Sequence, residues 1–359
     1  LGGGLVPGSF ILLGGEPGIG KSTLILQVCK GLCTQGIRVL YVSGEESASQ
    51  VKLRASRLGL DSKELYLYSE VELETILGEV QTLEPKILVL DSIQTVRTRE
   101  LDSSPGSVSQ VRECTYKVLE CAKTQNIPVL LVGHVTKGGE IAGPRLLEHM
   151  VDVGLSFEGD KNHYFRILRG TKNRFGATDE VGIFEMKSTG LQAVENPSSY
   201  FISETSPVPG SSLSLVMEGS QPFLVEVQAL VTSNQFTYPK RTAMGFDLNR
   251  LTLLIAVLEK RMGVILGQSD VYVSLAGGVK TSDPSLDLAV ILAILSSLKD
   301  RRVPRDVVVM GEVGLGGEIR LISRVETRIK EARKQGFKRF YVPRKAVEMQ
   351  PECRGPEIH

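Results

Sequence analysis

A chain of 359 residues with 42% hydrophobic and 23% charged side chains is long enough for two globular domains, each with its own core. Its 42 basic and 41 acidic residues nearly cancel, so no global field draws it to nucleic acid or membrane, and any such contact must be local. Five cysteines, an odd number with no Cys-x-x-Cys pair, argue against a disulfide framework and for reduced thiols in a cytoplasmic protein, while the apolar runs 251–258 and 288–295 fall far short of a bilayer span.

Residues 10–13 (FILL) read as a buried strand, followed by a glycine loop and an apolar helix over 24–32. The loop satisfies G-x-x-x-x-G-K-[ST] through Gly15, Gly20, Lys21 and Ser22, in the strand–loop–helix context that the motif requires. Glycines let backbone N–H groups close around phosphate, and the helix N-terminus favours its negative charge. The predicted nucleotide contacts are therefore Gly15, Glu16, Pro17, Gly18, Ile19, Gly20, Lys21, Ser22 and Thr23, with Lys21 reaching the β/γ oxygens and Ser22 ligating Mg²⁺.

A second strand over 38–43 (RVLYVS) ends in Gly44-Glu45-Glu46, and a carboxylate there is suited to orient and deprotonate an attacking water. Glu45 is assigned that role, with Glu46 as the alternative and a solvated helix start as the bland reading. Residues 86–92 (KILVLDS) form a strand ending in Asp91, expected to hold the Mg²⁺ shell. Residues 128–133 (PVLLVG) lead to His134, placed where a γ-phosphate sensor would sit, although a lone histidine is commonly structural. Helical patterns over 46–58, 70–83 and 108–124 alternate with these strands, which predicts a doubly wound parallel sheet with its chemistry at the carboxyl edge. Cys29 and Cys33, four apart on a helix, are too few for a metal site and read as packing.

Five segments in order, GEPGIGKST, YVSGEES, VLDSIQT, GHVTKGGEIAGPRLLEHMVD and KNRFG at 172–176, resemble the bacterial RadA (Sms) ATPase family, and KNRFG is the most restrictive of them. The resemblance implies a RecA-like α/β P-loop core, ATP and Mg²⁺ as ligands, and a homo-oligomeric, hexameric ring. It further implies a helicase-like motor that acts on single-stranded and branched DNA in repair and promotes branch migration, with RecA among the expected partners. Lys172 and Arg174 lie one residue apart on a strand and so face the same side. In RecA-like rings such a pair reaches the neighbouring subunit's γ-phosphate; a surface or DNA-contacting hairpin is the alternative. The loops 98–107 and 135–144, with Arg97, Arg99 and Lys137, are candidates for sequence-independent DNA binding, or else plain surface loops.

Residues 1–194 are assigned to the ATPase domain, 195–210, rich in Ser and Pro, to a linker, and 211–359 to a second domain. Strands over 223–231 and 271–275, helices over 248–261 and 284–299, and the stretches 307–312 and 316–321 give an α+β pattern that resembles the Lon proteolytic domain. Ser285 stands where Lon bears its serine, but ungapped alignment puts Glu326 at the lysine position. A carboxylate cannot act as the desolvated amine of a Ser-Lys dyad, so Ser285 reads as a helix cap and peptidase activity is not expected. Between Arg320 and Lys345 ten basic residues face two acidic ones, Glu326 and Glu331, and a basic face including Arg328 and Lys334 is a candidate for duplex DNA, or an ordinary solvated helix face. RadA relatives carry an N-terminal four-cysteine zinc finger. Because this chain opens at Leu1 without such cysteines, zinc is expected only in a finger absent from it, with truncation the favoured reading. A KaiC-like signalling ATPase shares the double-glutamate element, but a single Walker A disfavours it.

Overall fold

The computed structural model describes residues 4–134, 147–159, 165–194, 208–234 and 238–349. The chain divides into two compact units, Leu1–Glu195 and Asn196–His359.

The first unit is built on a nine-stranded sheet. Six strands run parallel: β1 (Phe10–Gly15), β2 (Val39–Ser43), β3 (Leu65–Ser69), β4 (Ile87–Asp91), β5 (Val129–His134) and β6 (Val153–Glu158), in the order β3-β2-β4-β5-β1-β6. Three more, β7 (Phe165–Asn173), β8 (Val181–Lys187) and β9 (Gly190–Ala193), extend it antiparallel. Helices cover both faces, which is why β1, β2, β4 and β5 are continuous apolar runs that do not alternate and turn polar only at their carboxyl ends, Ser43, Asp91 and His134. Phe10, Leu12, Leu88, Leu90 and Leu131 pack against α3 (Leu73–Leu83) and α4 (Val108–Gln125). Ile11, Leu13, Tyr41, Val89 and Val132 pack instead with α1 (Lys21–Cys33) and α2 (Ala48–Arg57), where Cys29 and Cys33 are core side chains.

Local chemistry moves several element ends from their expected places. Helix α1 begins at Lys21, three residues before the apolar pattern, because Gly20 adopts φ 116° and turns the loop directly into the helix. Helix α2 begins at Ala48 because Ser47 and Gln50 form a capping box. The half-buried edge strand β3 has no clean alternation, and β6, β8 and β9 carry no strong pattern; the strand expected at Lys172 and Arg174 is β7, but it ends at Asn173 and leaves Arg174 in the following turn.

The second unit has a six-stranded mixed sheet. It comprises β10 (Ser211–Glu218), β11 (Gln221–Ser233), β12 (Arg241–Met244), β13 (Ser269–Leu275), β14 (Val307–Val309) and β17 (Arg339–Tyr341), in the order β12-β13-β11-β10-β14-β17. A separate hairpin joins β15 (Glu312–Val313) and β16 (Ile319–Arg320). The helices are α5 (Leu248–Met262), α6 (Asp287–Leu298), α7 (Val325–Lys334) and α8 (Arg344–Met349). The helix expected over 284–299 is a short 3₁₀ turn, Pro284–Leu286, leading into α6. Its cap is Asp283 rather than Ser285: the Ser285 N–H donates to Asp283 Oδ1 at 3.0 Å. Among the described residues no helix is long and apolar enough to cross a membrane.

Candidate functional site

Parallel strands bring the predicted residues to one edge. Register pairs Gly15 with His134 and Ser43 with Asp91, so the phosphate loop, the double glutamate, Asp91 and His134 all leave the sheet at its carboxyl end. The phosphate loop is packed closely where it leaves β1 and enters α1. A Cβ on Gly15 would meet the Phe157 carbonyl oxygen at 2.5 Å, and one on Gly20 would meet Met186 Cε at 2.7 Å. Glycine is required at these two positions because β6 and the Met186 side chain pack directly against the loop backbone.

Lys21 Nζ lies beneath the loop, donating to the carbonyls of Gly15 at 2.8 Å and Glu16 at 2.9 Å, and sits 3.1 Å from His134 Nδ1. Burial lowers its pKa to about 8, against the opposing pull of Asp91 and Glu45. Since an ammonium only donates, Nδ1 of His134 accepts, and the ring's proton sits on Nε2, 2.9 Å from Glu45 Oε1. The same carboxylate oxygen accepts from Ser92 Oγ at 2.6 Å. Burial pushes the Glu45 carboxyl up, but these hydrogen bonds from Ser92 and His134 outweigh it and hold the group below its ordinary value. Glu46 is elsewhere engaged, paired to both terminal nitrogens of Arg54 at 2.6 Å.

Asp91 accepts a 2.5 Å hydrogen bond from Tyr41 Oη through Oδ2, and burial and Asp91 together raise the tyrosine pKa well above its usual value. The Asp91 carboxylate at one strand end and the Ser22 hydroxyl in the first turn of α1 offer oxygen donors, the chemistry that a hard divalent cation takes. Tyr41 and Ser92 were not singled out in the sequence. Neither has a local signature, because their partners lie 50 and 47 residues away.

Lys172 and Arg174 lie at the opposite end of the sheet. Lys172 Nζ donates to the Glu148 carbonyl at 2.7 Å, and Arg174 pairs with Asp152 at 3.0 Å. Asp152 also accepts from Lys123 at 2.7 Å and from the Phe10 N–H at 3.1 Å. Phe10 and Gly15 are the two ends of the six-residue β1, about 16 Å apart. The cations therefore cannot meet the phosphate cradle of their own subunit.

Arg97 and Arg99 share one carboxylate, Glu72, at 2.5 and 3.1 Å, and both remain exposed. The loop they flank is ordered by a buried side chain. Gln110 accepts from the Thr98 N–H at 2.9 Å and donates to the carbonyls of Leu101 at 2.9 Å and Ser103 at 3.0 Å. Lys137 lies outside the described residues. Lys334 is exposed on α7, paired loosely with Glu331 at 3.5 Å.

Arg328 corrects the expected basic face. Its side chain is 1% exposed and cannot reach a duplex. It pairs with Asp283 at 2.7 Å and donates to Ser285 Oγ at 2.9 Å and the Ser323 carbonyl at 2.9 Å, while Ser285 itself donates to the Leu215 carbonyl at 3.0 Å. The cation facing the serine is thus Arg328, 43 residues downstream, and not the residue at 326 that ungapped alignment put there; Glu326 is instead ion-paired with Lys330 on the exposed side of α7. Removing the guanidinium leaves the Asp283 carboxylate without its cation, and breaking a buried pair from one side costs about 3–5 kcal/mol. Arg328→Ala is therefore expected to lower the unfolding free energy of the second unit, read from urea titration, by that amount, and an unchanged free energy would show the pair to be energetically idle.

Residues 1–140 match the family described as an AAA domain, and residues 253–346 match the family described as subunit ChlI of Mg-chelatase. A solved RadB recombinase is similar at 23% identity and a TM-score of 0.42, over 54% of this chain and 94% of that one. The DNA repair protein RadA of Bacillus subtilis is 52% identical over 359 residues, covering all of this chain and 78% of the relative. That of Streptococcus pneumoniae is 54% identical over 348 residues, 97% of this chain and 83% of the relative. With this likeness running through both units, and a phosphate loop, acidic strand end and double glutamate on one sheet edge, the chain belongs to the RadA family of DNA repair proteins, built around an ATPase core.

Proposed function

We propose that the protein is a DNA-dependent ATPase that works as a ring on single-stranded DNA, processing branched recombination intermediates by helicase-like branch migration in the cytoplasm. The observation that carries this reading is the split of the machinery across one sheet. The phosphate cradle, Glu45 and Asp91 sit at the carboxyl edge, while Arg174 is paired with Asp152 beside Phe10, at the far end of a strand about 16 Å long, and Lys172 lies level with Leu12 toward the same end. A site that needs both must be assembled from two subunits.

In this reading ATP lies on the N–H groups of residues 15–20, and Lys21 exchanges its loop carbonyls for β/γ oxygens. Mg²⁺, when bound by Ser22 and Asp91, neutralises developing phosphate charge. Tyr41 fixes one Asp91 oxygen, leaving the other for the metal shell. Glu45 accepts the water proton, oriented by Ser92 and His134. His134 joins Glu45 to Lys21 and precedes Lys137 by three residues in the chain, so contact with DNA at Lys137 is in a position to alter the geometry of the base. Arg97 and Arg99 offer the phosphate backbone charges that exchange Glu72 for DNA, an affinity that falls with salt. RecA is an expected partner.

The second unit is read as Lon-like in architecture but without peptidase function. Ser285 has its proton committed to the Leu215 carbonyl and faces a guanidinium, which stays protonated and cannot serve as a base.

Electron microscopy with a non-hydrolysable ATP analogue and a single-stranded oligonucleotide tests the motor: closed hexamers with DNA in the channel are expected. Particles that stay monomeric and ignore DNA would sink the proposal.

A further inference from the structure

The second unit carries an open, predominantly apolar groove of about 990 Å³ that the ATPase chemistry does not use. Its origin lies in α6, where nine of the twelve residues (DLAVILAILSSL) are apolar. A helix apolar on all sides belongs in an interior. One face of α6 is indeed buried: Ala289, Val290, Ala293 and Ile294 are sealed within the unit. The opposite stripe, Leu288, Leu292 and Leu295 at helical spacing, is only half-buried and lines the groove. Exposed apolar side chains continue it, with Met262 58%, Ile319 48% and Tyr341 40% accessible. The groove is also held in shape. Arg250 of α5 reaches the fully buried Asp287 at the start of α6 through Nε, 3.1 Å from each oxygen, and the Val313 N–H donates to that carboxylate at 3.0 Å.

The lining has one sign of charge. Six of its side chains are cationic and none is acidic. Arg339 is engaged by Asp306, but Arg261, Lys299, Arg301 and Arg302 stand exposed along the rim. An apolar floor with a cationic rim selects a ligand that is apolar in the middle and acidic at its flanks.

We propose that this groove docks an acidic amphipathic segment of a partner protein, its apolar side chains seated on the Leu288–Leu292–Leu295 stripe and its carboxylates on the arginine rim. An apolar groove between helices takes such a segment as a helix with anchors at i, i+3/i+4 and i+7. Single-stranded DNA suits the groove less well, because stacking platforms need several aromatic rings and Tyr341 is the one that lines it.

The test is selection of displayed random peptides, about four helical turns long, on the full chain, with the purified winners measured against Leu292→Glu and the double variant Arg301→Glu/Arg302→Glu. The double variant alters only exposed positions, so it reports even where Leu292→Glu disturbs α6. Winners with Asp or Glu flanking Leu, Ile or Phe at helical spacing are expected, bound at least about tenfold more weakly by both variants, with ATP turnover unchanged. Four results would overturn the proposal. They are the absence of acidic–apolar enrichment, equal binding to the double variant, displacement of the winners by oligo-dT, and a changed molar mass of the double variant with peptide binding unaltered. The last would make the face a contact between copies of this chain.

Discussion

Glu45→Gln is expected to lower ATP turnover by about 10²–10⁴-fold, the range that a positioned general base contributes, with nucleotide affinity close to that of the parent. Glutamine keeps the size of the side chain and an acceptor for the Ser92 hydroxyl, so the change removes basicity more than shape. The neighbouring glutamate is the control. Glu46 is held by Arg54 at 2.6 Å on a partly exposed surface, and Glu46→Gln therefore costs little turnover. Steady-state phosphate release with and without single-stranded DNA, paired with fluorescent-nucleotide titration, separates chemistry from binding. Equal turnover in Glu45→Gln and the parent, or a larger loss in Glu46→Gln, would transfer the role or remove it.

Arg174→Ala is expected to cost about 10³–10⁵ in DNA-stimulated turnover, the worth of an arginine finger supplied by a neighbour. The competing role is structural, since Arg174 pairs with Asp152, which also anchors Phe10 at the start of β1. Lys123 still holds Asp152 at 2.7 Å after the substitution, so the strand start keeps one of its two cations. Mixing distinguishes the two roles in a way that single variants cannot. Lys21→Ala and Arg174→Ala are each expected to be inactive alone. In a mixed ring some interfaces place an intact cradle opposite an intact Arg174, and turnover returns in part. A mixture as inactive as its components would rule out assembly of the site across subunits, and normal hydrolysis by Arg174→Ala on DNA would remove the finger altogether.

The nucleotide site was legible because its parts obey local rules. The phosphate loop is one contiguous segment, and its residue types follow from the close approach of backbone to phosphate. Glu45, Asp91 and His134 come from separate strands, yet each could be placed. Parallel strands that alternate with helices end on one edge, and these residues follow the apolar runs directly. What was not legible were the side chains that hold these groups. Ser92 on Glu45, Tyr41 on Asp91 and His134 between Glu45 and Lys21 depend on which way a side chain leaves its strand and on which strand lies beside it. The rim of the 98–107 loop is a similar case: Gln110 looks like an ordinary helix polar residue until its amide is seen to fill the loop.

Arg328 marks the limit most clearly. A run of ten cations between residues 320 and 345 reads as a surface, and Lys334 does lie there, but Arg328 points inward to Asp283 and Ser285. Charge counting assumes that cations are solvated, and that assumption fails wherever a buried carboxylate compensates one. By itself the sequence determined the α/β P-loop core and the residues at its carboxyl edge, because spacing and backbone chemistry act over a few residues. Only the tertiary structure decided that Lys172 and Arg174 face away from that edge, that Arg328 is interior, and that α6 leaves an apolar stripe open. Each of these is set by strand register or helix docking between residues far apart in the chain, and no local pattern encodes that pairing.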